Sequence, residues 1–430
     1  MNIKHILTFF ILTTMCLSAT LLCDLFDQNF LIPKQLVFQL CTLIAFTLWI
    51  WRHNNIYIRK VNPLLLSCLL FFSWAAISSF VSPNPFVAIS KYTFWFCGVL
   101  FLALLIHIPL RKSLVKQTWF TIMFVVVGIS YLQYAELSPV PMVRPNFYGS
   151  TLGNPNFVAC LAAATAVSLC GYIKTLCGYR KICCVISIIF FIFPVLFIGS
   201  RGALVGLFVA CIVFILLRKN YFAMLSVAIL FVVMCSIPLY QGRSLWNKES
   251  FHQYGATRER IVIWVSSWRT FREHMWVGTG FEQWYQKAWH HKNRFATARG
   301  NEVYKPATKR IFAHTHNDYL EIFLETGIIG GCLFIVLLLL MLYYAYTDYK
   351  KTRCSIGAGH FAALFVLLTH SLVSFPLQTA FGYMCLLLNW FFILRTPSHS
   401  TTIQKPAWAI IAMLLLLICN TISWAFAHLI

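Results

Sequence analysis

Apolar runs of about 17 to 22 residues recur along the chain, close to the length that an α-helix needs to cross a bilayer core. Lipid offers the backbone no hydrogen-bond partners, so such runs predict membrane-spanning helices. The run at 379–394 is short enough to be re-entrant, which makes 12 spans the alternative to 13. The 13 candidate spans are 5–23, 35–51, 63–81, 92–110, 117–134, 156–173, 182–199, 202–217, 221–240, 326–347, 359–376, 379–394 and 407–427.

The fold class follows from this pattern. A chain that is 60% hydrophobic and 11% charged is too apolar for a soluble domain, and we predict an all-α polytopic integral membrane protein. Residues 1–240 would hold nine helices with short loops. Residues 241–325 would form one long loop that carries the chemistry, and residues 326–430 the remaining helices.

The distribution of basic residues predicts the orientation. With the N-terminus inside, 17 of the 34 Lys and Arg residues fall on the inner side and 13 in the long loop. The short outer connections hold only Lys34, Lys91, Arg144 and Arg201. The net charge of +22 is therefore a topology signal rather than a nucleic-acid-binding surface, and the long loop is predicted outside.

The 16 cysteines do not indicate a disulfide framework or a zinc site. They lie in or beside apolar runs, none falls in the long loop, and no CxxC pair occurs. We interpret them as small apolar residues, and the first apolar run as an uncleaved helix rather than a signal peptide.

The stretch AHTHNDYLEIFLETGIIGG, residues 313–331, places polar groups at the start of a predicted span. Thr315 and Asp318 match a capping box, which would make Thr315 the N-cap and His316 the first helical residue. Asp318, Glu321 and Glu325 would then share one helix face. A helix N-terminus attracts phosphate and lowers the pKa of a nearby histidine, so it could hold a neutral base beside an anion.

Three other stretches carry polar signals. GNPNFVA, residues 153–159, predicts a helix start with Asn154 as N-cap. In GSRGALVG, residues 199–206, Arg201 lies at the outer face, where an anionic partner is expected, beside a Gly202–Gly206 pattern that permits close helix packing.

The third stretch, TRERIVIWVSSWRTFREHMWVG at 257–278, predicts an interfacial helix. Its apolar positions are Ile261, Trp264, Val265, Trp268 and Phe271. Arg269 and Arg272 would contact lipid phosphates, whereas Arg258 and Arg260, at the helix start, are free to face a site.

Two other interpretations of residues 313–331 remain open. His314, His316 and Asp318 alternate and could ligate a metal, although no further cluster has metal-ligand spacing. The same groups could also be capping and solvated loop residues without a catalytic role. A lipid-linked glycan transporter is a further alternative, but it would place charges along a path across the membrane rather than at one face.

The motif HNDYLEIFLETGIIGG resembles the signature of the O-antigen ligase and polymerase family, H-N-x-x-L-x-x-x-x-E-x-G-x-x-G. Three further family-like pieces precede this signature in the order found in that family. They are GNPNFVA, GSRGA at 199–203 and the Arg260–Trp264 helix. HSLVSFPLQ at 370–378 is similar to the piece after the signature helix, especially in the protein-glycosylating branch. HMWVGTG at 274–280 departs from many relatives, which have proline at the position of Met275. The signature is matched at His316, Asn317, Leu320, Glu325, Gly327 and Gly330.

The resemblance implies a GT-C-type, metal-independent, inverting glycosyltransferase without a cofactor, in the bacterial inner membrane with a periplasmic active site. Its donor would be a glycan on undecaprenyl pyrophosphate. The acceptor would be lipid A-core, as for a ligase, with a glycan (polymerase) or a protein hydroxyl as alternatives. The catalytic histidine carries over to His316 and the pyrophosphate-binding arginines to Arg201 and Arg260, with Arg258 beside them. In our interpretation His314 and Asn317 would orient the base or contact the sugar, and Glu325 would tie the helix to its neighbours or orient an arginine.

Overall fold

The structure, a computed structural model, describes residues 3–22, 30–52, 55–58, 63–142, 147–219, 255–298, 313–394, 401–404 and 408–428. Within these residues the chain forms fourteen α-helices and one pair of short strands. The helices are α1 (Ile3–Thr20), α2 (Ile32–Arg52), α3 (Pro63–Phe80), α4 (Pro85–His107), α5 (Lys112–Tyr134), α6 (Pro155–Cys170), α7 (Gly178–Ile198), α8 (Arg201–Arg218), α9 (Gly255–Glu273), α10 (Trp284–Thr297), α11 (Asp318–Thr352), α12 (Ser355–His370), α13 (Ala380–Ile393) and α14 (Trp408–His428).

The predicted class, an all-α polytopic membrane protein, is confirmed. Among the described residues, nine helices (α1 to α8 and α11) are long and apolar enough to cross a membrane, and α12, α13 and most of α14 are shorter apolar helices. Twelve of the 13 predicted spans thus contain a helix, and the span at 221–240 lies outside the described residues. The strands β1 (Asn55–Ile58) and β2 (Thr401–Gln404) pair antiparallel between helices.

Two helices begin at Asn-Pro caps that lie ahead of their apolar runs. α4 begins at Pro85 behind an Asn84 cap, and α6 begins at Pro155 behind an Asn154 cap, as predicted for the second. Asn84 and Pro85 carry the same Asn-Pro signature as Asn154 and Pro155. As a consequence Lys91, predicted in a short outer connection, lies inside α4 and is buried. That prediction is wrong because the cap, not the first long apolar run, sets the helix start.

The centre of the bundle contains α6, α12 and α13, whose side chains are almost all buried. α13, with 14 residues, is short for a membrane span, and nearly all of its side chains are buried in protein. α12 packs closely on α8: a methyl group added at Gly206 would lie 2.8 Å from the Val366 carbonyl oxygen. The close approach predicted from Gly202 and Gly206 is confirmed.

α8 and α11 run in the same direction. At their ends, Arg218 Nη1 donates to the Arg353 carbonyl over 2.9 Å, and Tyr349 Oη donates to the Leu217 carbonyl over 2.9 Å. Their first residues, Arg201 and Asp318, therefore lie toward the other end of the bundle. This second end carries the polar groups of the candidate site.

α11 is broken at Gly327, whose φ and ψ are 70° and −175°. Residues 275–280, which connect α9 to α10, dock into this break. Thr279 N and Gly280 N donate to the carbonyls of Leu324 and Glu325, each over 2.9 Å, and Ile328 N donates to Met275 O over 2.7 Å. The freed backbone groups at the break are thus satisfied by the connection between two amphipathic helices.

α3 also contributes to the break. Trp74 Nε1 donates to the Thr326 carbonyl over 2.8 Å, and Ser78 Oγ donates to the Glu325 carbonyl over 2.7 Å. Such side-chain donors allow an irregular backbone at membrane depth, because the free carbonyls are buried in protein.

α9 packs with a face that its apolar pattern did not indicate. The buried side is formed largely by Val262, Ile263, Ser266 and Thr270, whereas Trp268 is 58% exposed. The exposed tryptophan suits the predicted position at a lipid headgroup.

Candidate functional site

The residues before α11 form a tight turn that carries His316. Asn317 is the N-cap of α11: its Oδ1 accepts a hydrogen bond from Leu320 N over 3.0 Å. The prediction that Thr315 is the N-cap and His316 the first helical residue is therefore wrong. Thr315 Oγ1 instead accepts a hydrogen bond from the Asn317 N–H over 3.2 Å, a local turn that competes with capping. His316 lies in this turn with a φ of 55°.

The carboxylate of Glu321, in the first turn of α11, holds the preceding turn in place. Its Oε1 accepts a hydrogen bond from His314 Nδ1 and its Oε2 accepts one from the Thr315 N–H, both over 2.8 Å. The His314 ring also stacks on Phe375, with centroids 4.2 Å apart. The sequence predicted Glu321 on the polar face of the helix but indicated no function for it. Its contacts with residues 314 and 315 form only because the chain turns before α11.

The surroundings of His316 keep its imidazole neutral. The ring is half-buried and lies edge-on to Phe375, with centroids 5.0 Å apart. Burial, followed by the charge of Arg260 and by His314, lowers the pKa of His316 to about 4, against a smaller opposing effect of Glu321. A lowered pKa was predicted from the helix terminus. The cause here is desolvation and a neighbouring guanidinium, since the ring precedes the N-cap.

Arg201 and Arg260 come from different helices and approach each other. Arg201 is the first residue of α8 and is exposed, whereas Arg260 is half-buried in α9. Burial lowers the pKa of Arg260, and the positive charge of Arg201 lowers it further, against the effect of Glu259. Within the described residues no ion pair joins either guanidinium to a carboxylate. Two neighbouring cations without such partners are arranged to receive an anion.

The other predicted arginines are placed as follows. Arg258 lies in α9, but its side chain falls outside what the structure describes. Arg269 and Arg272 are exposed, and the Arg269 guanidinium lies 5.8 Å from the Phe295 ring centroid. Both positions agree with the surface location expected for them.

Glu325 is fully buried on α11 at the helix break. Its Oε1 accepts a hydrogen bond from the Glu282 N–H over 2.7 Å. Of the two roles considered, tying α11 to its neighbours and orienting an arginine, this contact favours the first.

A buried lysine beside these carboxylates was missed by the sequence reasoning. Lys91 Nζ lies 3.1 Å from Glu282 Oε1, and its side chain is only 2% exposed. Glu325 and Glu321 are also near enough to act on it electrostatically. Burying a lysine charge in an apolar helix costs free energy unless the charge is paired. The position of Lys91 in an apolar stretch was therefore the sequence signal for an acidic partner.

Residues 370–378 form one wall of the site. Ser371 O accepts a hydrogen bond from Asp318 N over 2.9 Å, and Leu377 N donates to Asp318 Oδ2 over 3.1 Å. The Phe375 ring contacts the rings of His314 and His316. The motif HSLVSFPLQ is thus brought against residues 313–318, far away in sequence.

Two tryptophans hold the turn from the other side. Trp264 Nε1 donates to Thr315 O over 3.0 Å, and Trp284 Nε1 donates to Ala313 O over 3.2 Å. α9 and α10 therefore fix the backbone on both sides of His314. The loop helices and the membrane bundle together build the site.

A metal at His314, His316 and Asp318 receives no geometric support. His314 bonds Glu321, and Asp318 bonds the Leu377 N–H, so their side chains have different partners. Across the parts of the chain that the structure describes, no group of three or more His, Cys, Asp or Glu side chains could hold a metal ion.

These features define a polytopic membrane protein with a neutral histidine and two arginines gathered at one end of its helix bundle. The family model described as O-antigen ligase matches residues 186–335, which include Arg201, Arg260 and His316. The match confirms the resemblance and supports a glycosyltransferase of the O-antigen ligase and polymerase type. No curated protein matches the chain.

Proposed function

We propose that the protein transfers a glycan from undecaprenyl pyrophosphate to an acceptor hydroxyl at the periplasmic face of the bacterial inner membrane. The observation that carries this proposal is the convergence of Arg201 and Arg260, which lack paired carboxylates among the described residues, on the neutral His316. A diphosphate needs cations and an attacking hydroxyl needs a base. Both requirements meet at one end of an apolar bundle, where a lipid-linked donor would lie.

The mechanism assigns one task to each group. His316 accepts the proton of the acceptor hydroxyl as its oxygen attacks the anomeric carbon. The new carbon–oxygen bond forms while the bond to the diphosphate oxygen breaks, and attack from the opposite side inverts the configuration. Arg201 and Arg260 stabilise the charge that grows on the leaving undecaprenyl pyrophosphate.

The remaining residues position the base. Asn317 caps α11, and His314 with Glu321 fixes the turn that carries His316. Glu325 joins α11 to the connection before α10. Two guanidinium groups supply the positive charge that the leaving group requires, and we therefore include neither a metal ion nor a cofactor in the proposal.

The first candidate for the acceptor is lipid A-core, in line with the description of the matched family. Another repeat unit or a protein hydroxyl would satisfy the same chemistry. The test is deletion of the gene, followed by analysis of lipopolysaccharide, lipid-linked polymer and glycoproteins from the same cells.

Loss of glycan from lipopolysaccharide, with accumulation of lipid-linked polymer, is the expected result. Shortened chains would instead identify a polymerase, and loss of glycan from proteins alone a protein-glycosylating enzyme. Complementation with wild type should restore the product, and equal expression of His316→Ala should not. A deletion that changes none of the three pools would refute the proposed function.

A further inference from the structure

The N-terminus of α8 is not capped by a side chain. Ser200 occupies the N-cap position, but its hydroxyl makes no capping hydrogen bond. Ser200 is only 4% exposed, and its Oγ has no hydrogen-bond partner. The first N–H groups of α8 have no partners within the helix, as at every helix N-terminus. Ser200 Oγ is therefore buried without the partner that a buried polar group normally has.

The N-terminus of α11 differs in this respect. Asn317 caps it, Asp318 N donates to Ser371 O, and Asp318 and Glu321 place carboxylates in its first turn. The anion site predicted at this helix is therefore already filled by protein groups. A phosphate would be repelled there and attracted at α8.

His370 lies against the first turn of α8. It is 1% exposed, and neither ring nitrogen makes a hydrogen bond of ordinary geometry. A methyl group added at Gly202 would lie 2.8 Å from His370 Nδ1, so this edge of the ring faces the helix start. Arg260 is near enough to act on the ring electrostatically. This buried imidazole makes no hydrogen bond of ordinary geometry, only a weak polar contact with the Gly202 backbone. Beside an uncapped helix and two arginines, the ring is placed to donate to an anionic ligand.

We propose that Ser200, His370 and the first N–H groups of α8 form a second, uncharged part of the diphosphate site. This inference rests on the proposed function and adds residues to it. Arg201 extends from the same turn, so the arginine and the backbone donors reach the ligand from one helix. Ser200 Oγ and one N–H of His370 donate to diphosphate oxygens. Gly202 has no side chain, which leaves the histidine ring room beside the helix.

Binding of undecaprenyl pyrophosphate without a glycan, measured by titration of the purified full-length protein in detergent, tests the proposal. Ser200→Ala and His370→Leu should each weaken binding about tenfold or more, because each removes a donor to a charged group. Ser200→Ala breaks no hydrogen bond in the ligand-free protein, and His370→Leu loses only the weak contact with the Gly202 backbone. The melting temperature without ligand should therefore stay near that of wild type. His370→Asn, which keeps a donor close to Nδ1, should recover part of the affinity.

His360→Asn is the matched control. His360 is buried in the same helix, but its ring bonds Tyr172 Oη and Asn389 Oδ1, each over 2.9 Å. This variant should lower the melting temperature and leave the affinity of the folded protein unchanged.

The outcomes separate the two proposals. Wild type that fails to bind undecaprenyl pyrophosphate would refute the proposed function itself. The second possibility is that wild type binds and that Arg201→Lys and Arg260→Lys weaken the affinity. If Ser200→Ala and His370→Leu then leave the affinity unchanged, only the second part of the site is overturned.

Discussion

His316 has a left-handed backbone conformation, with a φ of 55°, in a turn held by Thr315 and Glu321. Such a conformation is uncommon for a residue other than glycine and persists where the surroundings enforce it. Because Glu321 and two tryptophans fix the neighbouring backbone, the ring is positioned before any substrate binds. Preorganisation of this kind is what a general base requires.

The first prediction concerns His316→Ala. Transfer should slow on the order of 10²–10⁴-fold, whereas donor affinity should change little because the arginines remain. His314→Ala should cost less, since His314 acts through Glu321 and Phe375 rather than on the acceptor. Single-turnover transfer with both folded variants measures the difference. Loss of activity in His314→Ala, with His316→Ala near normal, would move the base two residues upstream.

The second prediction concerns pH. His316 accepts a proton only when neutral, so activity is lost as pH falls through its pKa of about 4. The kcat/KM profile should be flat between about pH 6 and 8 and decline below about pH 5. Arg260→Gln removes a neighbouring positive charge and should move this decline to higher pH. A wild-type midpoint at about 6.5, the ordinary histidine value, would contradict the lowered pKa.

Two helices that are separated in sequence, α8 and α9, bring Arg201 and Arg260 together. Arg201→Lys and Arg260→Lys should each reduce transfer on the order of tenfold or more, because lysine cannot make the bidentate contact of a guanidinium. Arg269→Lys, at an exposed position on the same helix as Arg260, should be nearly silent. Equal tolerance at all three positions in the transfer assay would mean that other residues bind the diphosphate.

The break in α11 gives the fourth prediction. A methyl group at Gly327 would lie 2.1 Å from Trp276 O, and its φ of 70° strains any other residue. Gly327→Ala should lose about 1–3 kcal/mol of stability from backbone strain alone, together with most activity. Gly128→Ala, in α5 with no atom within 4 Å of the added methyl group, is the control and should be neutral or slightly stabilising. Equal melting temperatures in detergent would show that the break is not required.

At the scale of the whole molecule, the fifth prediction concerns orientation. α8 and α11 end together through the Arg218–Arg353 contact, so their ends should face one side of the membrane. Reporter fusions after Lys219 and Lys350 should read cytoplasmic, and one near Asn301 periplasmic, as the distribution of basic residues indicates. A cytoplasmic signal near Asn301 would place the candidate site on the wrong face.

The sequence predicts the class of the molecule, which the structure confirms, and the region of its candidate site. Hydrophobic length fixes the membrane spans because the bilayer has a defined thickness. The polar residues of 313–331 stand out because charge at a membrane edge is costly. Arg201 and Arg260 were singled out for the same reason and from their family-like motifs.

Which groups meet at the candidate site depends on how the helices pack. The N-cap of α11 is Asn317 rather than Thr315, because two hydrogen bonds outweigh the capping pattern: the Thr315 N–H donates to Glu321 Oε2, and the Asn317 N–H donates to Thr315 Oγ1. Lys91 pairs with Glu282 across almost two hundred positions, and His370 reaches the start of α8 across a similar distance. Contacts of this kind depend on how helices pack, and periodicity along a single chain carries no information about them.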